Sequence, residues 1–236
     1  VEKLVSIDAG QTFQTIAGFG ASDCWSPAFV GKSWTSHRAG ITELLFSSEI
    51  VGGKPKGIGL SQWRVNLGGG SAAQGEACGI EDKSRRAESY LTDDLTYDWT
   101  RCEGQRYFMD RAKELGCNNF VLFSNTPPVQ YTYNGKGFSA RGGLSNLKPE
   151  HYGDFAGYMA DVAARYTGEG YHISHISPVN EPQYNWDSGQ EGSGWTNDEV
   201  AALARELDMS LDARGLSTDI LLGESGDWEY LYKVKG

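Results

Sequence analysis

The sequence has no long apolar run, few cysteines and a deficit of positive charge, and each shortage narrows what the protein can be. No apolar stretch approaches the roughly 20 residues that a bilayer-spanning helix needs, so we expect no membrane insertion. The 21 Lys and Arg residues stand against 31 Asp and Glu, for a formal net charge of -10. Because such a protein repels phosphate backbones, nucleic acid is not an expected partner.

The four cysteines are Cys24, Cys78, Cys102 and Cys117. They show neither C-x-x-C spacing nor a nearby histidine pair, so a structural zinc site is not expected. A bridge between Cys78 and Cys102 stays open, because pairing cannot be read from spacing alone. Residues 1–5 lack the apolar core of a signal peptide, so any export signal has been removed or was never present. We expect a secreted, periplasmic or cell-surface protein.

Glycine and aromatic side chains are what the sequence does contain. Its 236 residues include 31 Gly, 7 Trp, 12 Tyr and 9 Phe, and 39% are hydrophobic. That length is close to the size of one (β/α)8 barrel and can bury a large core. Aromatic rings in glycine-rich loops are typical of sites where a flat ring meets a flat ligand such as a sugar.

Short extended segments alternate with helical ones, a pattern typical of βαβ units around a parallel sheet. The predicted strands lie near 15–21, 59–65, 119–124, 175–180 and 219–223, and shorter helices are predicted at 36–46 and 101–115. Residues 3–7 are predicted as an additional β segment without an evident partner in the chain.

Two helices are better defined by their ends. Thr196 and Glu199 form a capping box, and Gly215 predicts a left-handed stop. Between them, one apolar face is formed by Val200, Leu203, Ala204, Leu207 and Leu211. Pro149 marks the start of the other helix, whose inward stripe is Tyr152, Phe155, Ala156, Met159, Val162, Ala163 and Tyr166.

Three long stretches, 68–99, 126–148 and 183–195, each follow a predicted strand and are rich in Gly, Ser and aromatic residues. In parallel α/β folds the loops after the strands build the ligand site, so we expect these stretches on one face. The tripeptide of Asn180, Glu181 and Pro182 lies at such a strand end. Alone it is equally compatible with a solvated turn. Pro178, inside the predicted strand, conflicts with strand hydrogen bonding.

Five motifs in order resemble the family 30 glycoside hydrolases, most closely the branch that contains endo-β-1,6-galactanases. They are GFGASDCW (18–25), WRVNLGGG (63–70), FSNTPP (123–128), SPVNEP (177–182) and QEG (190–192). The resemblance runs from about residue 12 to 226. It implies an α/β fold, a (β/α)8 TIM-type barrel with an attached β-sandwich. Residues 1–11 would belong to that side β-domain, and 12–236 would form the first five β/α units of the barrel.

The resemblance also implies roles for individual residues. Glu181 resembles the general acid/base, and Asn180 the amide that binds the sugar 2-hydroxyl. Arg64 resembles the arginine that orients the catalytic carboxylates. Asp23 and Asn66 are candidates for substrate hydroxyls, with loop capping as the alternative. The candidates for sugar stacking, with core packing as the alternative, are Trp25, Tyr131, Trp186 and Trp195.

A retaining glycosidase needs a second carboxylate, about 5 Å from the first, as nucleophile. In the family this glutamate ends the seventh strand, and only five strands are predicted here, so we expect the nucleophile to be missing and the 236-residue chain to be inactive. Glu224 also ends a strand, but it matches the fifth position and not the seventh.

Other functions are less well supported. Gly18-x-Gly20 and Gly57-x-Gly59 each lack the third glycine of a dinucleotide-binding fingerprint, and 223–227 lacks the last glycine of a serine hydrolase elbow. His172 and His175 would point to opposite faces of a strand, so no metal or other cofactor is expected. The expected partner is an oligo- or polysaccharide. A non-catalytic carbohydrate-binding protein, and a chain that is not stable alone, remain alternatives.

Overall fold

The computed structural model describes residues 3–232, and its centre is one sheet of five parallel strands that neighbour each other in chain order. These are β1 (Gly20–Ser22), β4 (Gln62–Asn66), β5 (Asn119–Phe123), β6 (Ile173–Ser177) and β7 (Asp219–Ile220), while β2 (Ile50–Val51) and β3 (Lys54–Pro55) form a separate antiparallel hairpin. Sequential parallel order with intervening helices is the arrangement of a (β/α)8 barrel wall. The predicted α/β class and partial barrel are confirmed.

Six α-helices are described around this sheet. They are α1 (Ser26–Ser33), α2 (Arg38–Phe46), α3 (Glu103–Glu114), α4 (Tyr152–Gly168), α5 (Asn197–Asp212) and α6 (Trp228–Tyr232). Helix α5 begins at the predicted capping box, in which the side chains of Thr196 and Glu199 each bond the other's backbone N–H. Its residues at spacing four, Leu203, Leu207 and Leu211, are buried. Gly215 has the left-handed φ of 63° predicted for the stop.

Helix α4 supplies the largest part of the core. It follows a single tight turn, Pro149–His151, so the predicted proline start is confirmed. The predicted stripe is fully buried except Tyr152, which is half-buried. Burial of whole apolar side chains stabilises the fold by about 1.5–3 kcal/mol each.

Helices α1 and α3 cross with their backbones in contact. A Cβ atom at Gly31 would lie 2.1 Å from the carbonyl oxygen of Gly104, and one at Gly104 would lie 2.1 Å from that of Ala28. Only glycine fits at either position. The crossing holds α1 close behind the end of β1.

Strand boundaries differ from the prediction for physical reasons. Strand β6 starts at Ile173 and ends at Ser177, directly before Pro178, whose missing N–H would interrupt the ladder. The conflict noted for a proline inside this strand therefore disappears. Strand β1 is three residues long, not seven, because only Gly20 to Ser22 pair with β4.

Residues 3–7 form no strand with any described residue, so the additional β segment stays a prediction. Leu4, Val5 and Ile7 are 97%, 79% and 88% exposed, because no neighbouring strand among residues 3–232 covers them. The assignment of residues 1–11 to a side domain stays a prediction, and residues 1 and 2 lie outside the described part.

The loops that follow the strands are long and pack against each other. We name them the β4 loop (67–102), the β5 loop (124–148) and the β6 loop (178–196). Val129 N–H donates to the carbonyl oxygen of Gly69 at 2.8 Å, and Gly192 N–H donates to that of Gly137 at 2.8 Å. All three loops therefore lie on the carboxyl side of the sheet, as predicted.

All four cysteines are free thiols, so Cys78 and Cys102 do not form a bridge here. Over residues 3–232, none of the helices is both long and apolar enough to cross a bilayer.

Candidate functional site

Arg64 connects three strand ends on the carboxyl side of the sheet. It lies in β4, and its Nη2 donates to Oδ1 of Asn180 at 2.9 Å, just after β6. The same nitrogen forms an ion pair with Oε2 of Glu224 at 3.1 Å, just after β7. Its guanidinium carbon lies 3.4 Å from the ring centroid of Phe123, the last residue of β5. The planar cation thus fixes an amide and a carboxylate side by side.

Glu181 has the left-handed backbone conformation that non-glycine residues rarely adopt, with φ of 43°. Three hydrogen bonds hold it there. Its N–H donates to the carbonyl oxygen of Glu224 at 3.0 Å, and its own carbonyl accepts from the N–H of Tyr184 at 3.0 Å and from Nε1 of Trp186 at 3.2 Å. Such strain costs about 1–3 kcal/mol and concentrates at functional sites.

A glycine lies against the Glu181 side chain. A Cβ atom at Gly226 would be 2.5 Å from Oε1 of Glu181, so the carboxylate packs on bare backbone. The half-buried carboxylate also lines a cleft of about 280 Å³. The other residues that line this cleft are Arg85, Tyr184, Trp186, Ser188, Gly189 and Gln190.

The four aromatic candidates are placed differently. Trp186 is only 6% exposed; its ring packs on the backbone of Gly192. Tyr131 is 7% exposed and stacks on His151. Trp195 is 5% exposed and packs edge-on against Tyr152. Core packing, the alternative left open by the sequence, describes the positions of Tyr131 and Trp195.

Trp25 and the two polar candidates lie at a second cavity of about 230 Å³ between the β4 loop and helix α1. The Asp23 carboxylate is buried there. It accepts one hydrogen bond from the backbone N–H of Asn66 at 2.9 Å and another from Nε2 of Gln105 at 2.5 Å. Burial raises the pKa of Asp23 to about 7. Loop capping, the alternative named for this residue, describes these contacts.

Asn66 is 94% buried, being 6% exposed. Its backbone carbonyl accepts a hydrogen bond from Nε2 of Gln105 at 2.9 Å. Its side-chain oxygen, in contrast, has no hydrogen-bond partner among the described residues. An unsatisfied buried acceptor costs about 1–3 kcal/mol. The residue also lines the adjacent cavity.

Three residues of the site were missed or passed over from sequence. Gln105 lies on α3, and no local pattern signals its contact with Asp23. Tyr184, 57% exposed in the cleft beside Glu181, presents more ring surface there than Trp186. Glu191, in the QEG motif, is a fully buried carboxylate. A glutamate flanked by a motif glycine was the available signal for it.

The arrangement at Glu181 suits proton transfer. Within residues 3–232, no group of three or more His, Cys, Asp and Glu side chains is placed to hold a metal ion. A carboxylic acid at a cleft, beside an amide oriented by an arginine, can protonate a leaving oxygen and then activate water.

Comparisons with known proteins agree on one family. The sequence model described as O-Glycosyl hydrolase family 30 matches residues 2–236. An endo-beta-1,6-galactanase from Hypocrea rufa is 25% identical over 245 residues, an alignment that covers 95% of this chain and 50% of that protein.

Solved structures show the same fold. The crystal structure of a conserved exported protein from Bacteroides fragilis has a TM-score of 0.92 and 37% identity, covering 97% of this chain and 48% of that one. The catalytic domain of the family 30 xylanase C from Talaromyces cellulolyticus has a TM-score of 0.67 and 21% identity, covering 93% and 49%. The chain thus spans about half the length of these relatives.

Proposed function

The chain belongs to O-glycosyl hydrolase family 30, and we propose that it forms the acid/base part of a retaining glycosidase that cleaves a β-linked polysaccharide. The observation that carries this proposal is the strained Glu181 beside Asn180, which is itself held by Arg64. Glu181 protonates the leaving oxygen and then, as a base, activates water. The amide of Asn180 binds the 2-hydroxyl of the sugar at the cleaved bond.

The proposed substrate is a β-1,6-galactan or a glycan close to it. The 25% identity to the endo-beta-1,6-galactanase from Hypocrea rufa supports this choice. Tyr184 and Arg85 line the cleft at Glu181, and in this proposal they contact the sugar chain. Similarity to an exported protein from Bacteroides fragilis supports a location outside the cytoplasm.

The nucleophile, in this proposal, is a glutamate outside the 236 residues. Glu224 is the alternative within them, and its ion pair with Arg64 is compatible with that role, but it follows the fifth parallel strand of the sheet and not the seventh. Trapping with a 2-fluoro galactosyl inhibitor, followed by peptide mass spectrometry, separates the two. We expect the label on a glutamate other than Glu224; a labelled Glu224 contradicts this part.

The central test uses the longest natural protein that contains these residues, assayed by released reducing ends on β-1,6-galactan, β-1,3-galactan, β-1,6-glucan and xylan. We expect strongest hydrolysis of β-1,6-galactan with retained anomeric configuration. Glu181→Gln should lower that rate by about 100- to 10,000-fold, the usual contribution of general acid–base catalysis. Glu150→Gln changes an exposed glutamate remote from the cleft and should leave the rate unaltered.

Equal activity of the wild type and Glu181→Gln rules out the acid/base role. If neither protein hydrolyses any glycan but both bind galactan with a change in Trp fluorescence, the chain is a carbohydrate-binding protein instead.

A further inference from the structure

Glu191 is a carboxylate with 0% exposure in the same loop as Glu181. Its Oε2 accepts the N–H of Gly69 at 2.8 Å, and its Oε1 accepts the N–H of Ser71 at 2.9 Å. Both donors belong to the β4 loop, more than a hundred residues earlier in the chain. One side chain therefore ties the β4 loop to the β6 loop through both of its oxygens.

A buried carboxylate is a costly way to join two loops. Removing its charge from water is unfavourable, and burial raises the pKa of Glu191, although the hydrogen bonds from Ser71 and Gly69 oppose that effect. An apolar contact of the same size would join the loops at lower cost. This free-energy cost indicates that the relative position of the β4 and β6 loops must be held closely.

The next residue in the chain connects this anchor to Glu181. A Cβ atom at Gly192 would lie 2.3 to 2.5 Å from ring atoms of Trp186, so the indole rests directly on the backbone beside Glu191. The indole Nε1 in turn donates to the carbonyl oxygen of Glu181 at 3.2 Å. A continuous path of contacts runs from the β4 loop to the strained backbone of Glu181.

We propose that Glu191 is a positioning residue for general acid catalysis, holding Glu181 in place through Gly192 and Trp186. This inference rests on the proposed acid/base role of Glu181. Glu191 does not touch the substrate. It fixes where the acid lies, and displacement of a catalytic group by about 1 Å can cost about 100-fold in rate.

Leaving-group dependence separates this role from a general effect on folding. A sugar leaving group needs protonation by the acid, whereas 2,4-dinitrophenolate leaves without it. The substrates are a β-1,6-galactan oligosaccharide and 2,4-dinitrophenyl β-1,6-galactobioside, tested on the longest natural protein that contains this chain. Because kcat/KM reports the steps up to cleavage, it excludes the later hydrolysis of the intermediate.

The variant is Glu191→Gln, which keeps the side-chain size but sets an amide N–H2 against one backbone N–H donor. We expect kcat/KM on the oligosaccharide to fall about 10- to 100-fold, with at most a twofold change on the dinitrophenyl substrate. Equal losses on both substrates, or no loss on either, would overturn the proposal.

Glu199→Gln is the matched control. Glu199 also accepts hydrogen bonds from backbone N–H groups, those of Thr196 and Ser145, and it ties the β5 loop to the junction between the β6 loop and α5. We expect no substrate-dependent loss from it; the same substrate-dependent loss as in Glu191→Gln would overturn the proposal.

Two further variants keep the outcomes distinct. Glu181→Gln must show the substrate-dependent loss; if it does not, the proposed function itself fails. If Glu181→Gln shows it and Glu191→Gln does not, only the positioning role fails. If Glu191→Gln does not fold, Trp186→Phe takes its place, because it removes the hydrogen bond from the indole N–H to Glu181. The ratio of kcat/KM on the oligosaccharide to kcat/KM on the dinitrophenyl substrate must then fall for the proposal to stand.

Discussion

Arg64 and Asn180, 116 residues apart in the chain, are joined by a hydrogen bond of 2.9 Å between Nη2 and Oδ1. Because Nη2 also meets Glu224 at 3.1 Å, this nitrogen joins the ends of three strands. The guanidinium also packs over the ring of Phe123, with its carbon 3.4 Å from the ring centroid. The orientation of the Asn180 amide therefore depends on one arginine.

The first prediction concerns that arginine. In the longest natural protein that contains the chain, Arg64→Lys keeps the positive charge but loses the planar fork and the stack on Phe123. We expect kcat/KM on β-1,6-galactan to fall about 10- to 100-fold, since a small displacement of binding groups has effects of this size. Arg214→Lys, which alters an arginine just after α5 that is paired with Asp161 of α4, should leave the rate within twofold. A similar loss in both variants contradicts the special role of Arg64.

The second prediction concerns backbone strain at Glu181. Glycine adopts a φ of 43° without steric cost, whereas any Cβ atom is strained there. Glu181→Gly should therefore be more stable than Glu181→Ala by about 1 kcal/mol, measured by urea unfolding, while both variants lack activity. An alanine variant as stable as the glycine variant shows that the conformation relaxes in solution.

The third prediction follows from Asp23, whose pKa burial raises from 3.8 to about 7. A carboxyl that binds its proton more tightly in the folded state stabilises the fold below the unfolded pKa, and loses that contribution as pH rises toward 7. The free energy of unfolding should fall between pH 5 and pH 7, by on the order of 2 kcal/mol from this group. Glu191 adds to the fall in the same direction.

The difference in free energy of unfolding between the wild type and Asp23→Asn, followed over pH, isolates the contribution of Asp23. The variant cannot titrate, so its unfolding free energy should depend less steeply on pH over the same range. Parallel pH profiles for the two proteins would show that Asp23 titrates near its ordinary value.

The fourth prediction uses two helical glycines with opposite surroundings. Gly31→Ala drives a Cβ atom into the backbone of Gly104 and should lower the free energy of unfolding by about 1–3 kcal/mol. Gly40→Ala, on α2 with nothing within 4 Å, should instead raise it by up to about 1 kcal/mol. Both are read from urea unfolding, and effects of the same sign contradict the backbone contact.

Periodic and local signals in the sequence predicted the elements well. The capping box of Thr196 and Glu199 and the buried stripe of α4 depend on neighbours within one or two turns. Strand ends were less accurate. Strand β1 is limited by its pairing to β4, a non-local fact, and residues 3–7 have strand-like composition but no neighbour to pair with among the described residues.

At the site, too, local features could be predicted from sequence and non-local contacts could not. Glu181 and Asn180 follow a strand, and a motif signals them. Whether an aromatic side chain is buried or exposed depends on which loops cover it, so the sequence left both stacking and core packing open for Trp195 and did not single out the exposed Tyr184. The contact of Gln105 with Asp23 joins a helix to a strand end 82 residues earlier, and no spacing pattern encodes it.

The two bonds from Glu191 have a consequence for engineering substrate choice. Grafting the β6 loop alone from a relative that lacks this glutamate would leave Gly69 and Ser71 with unsatisfied buried N–H groups, and grafting the β4 loop alone could leave a buried charge without donors. An exchange of loops in this protein should therefore replace the β4 loop and the β6 loop together, as one unit.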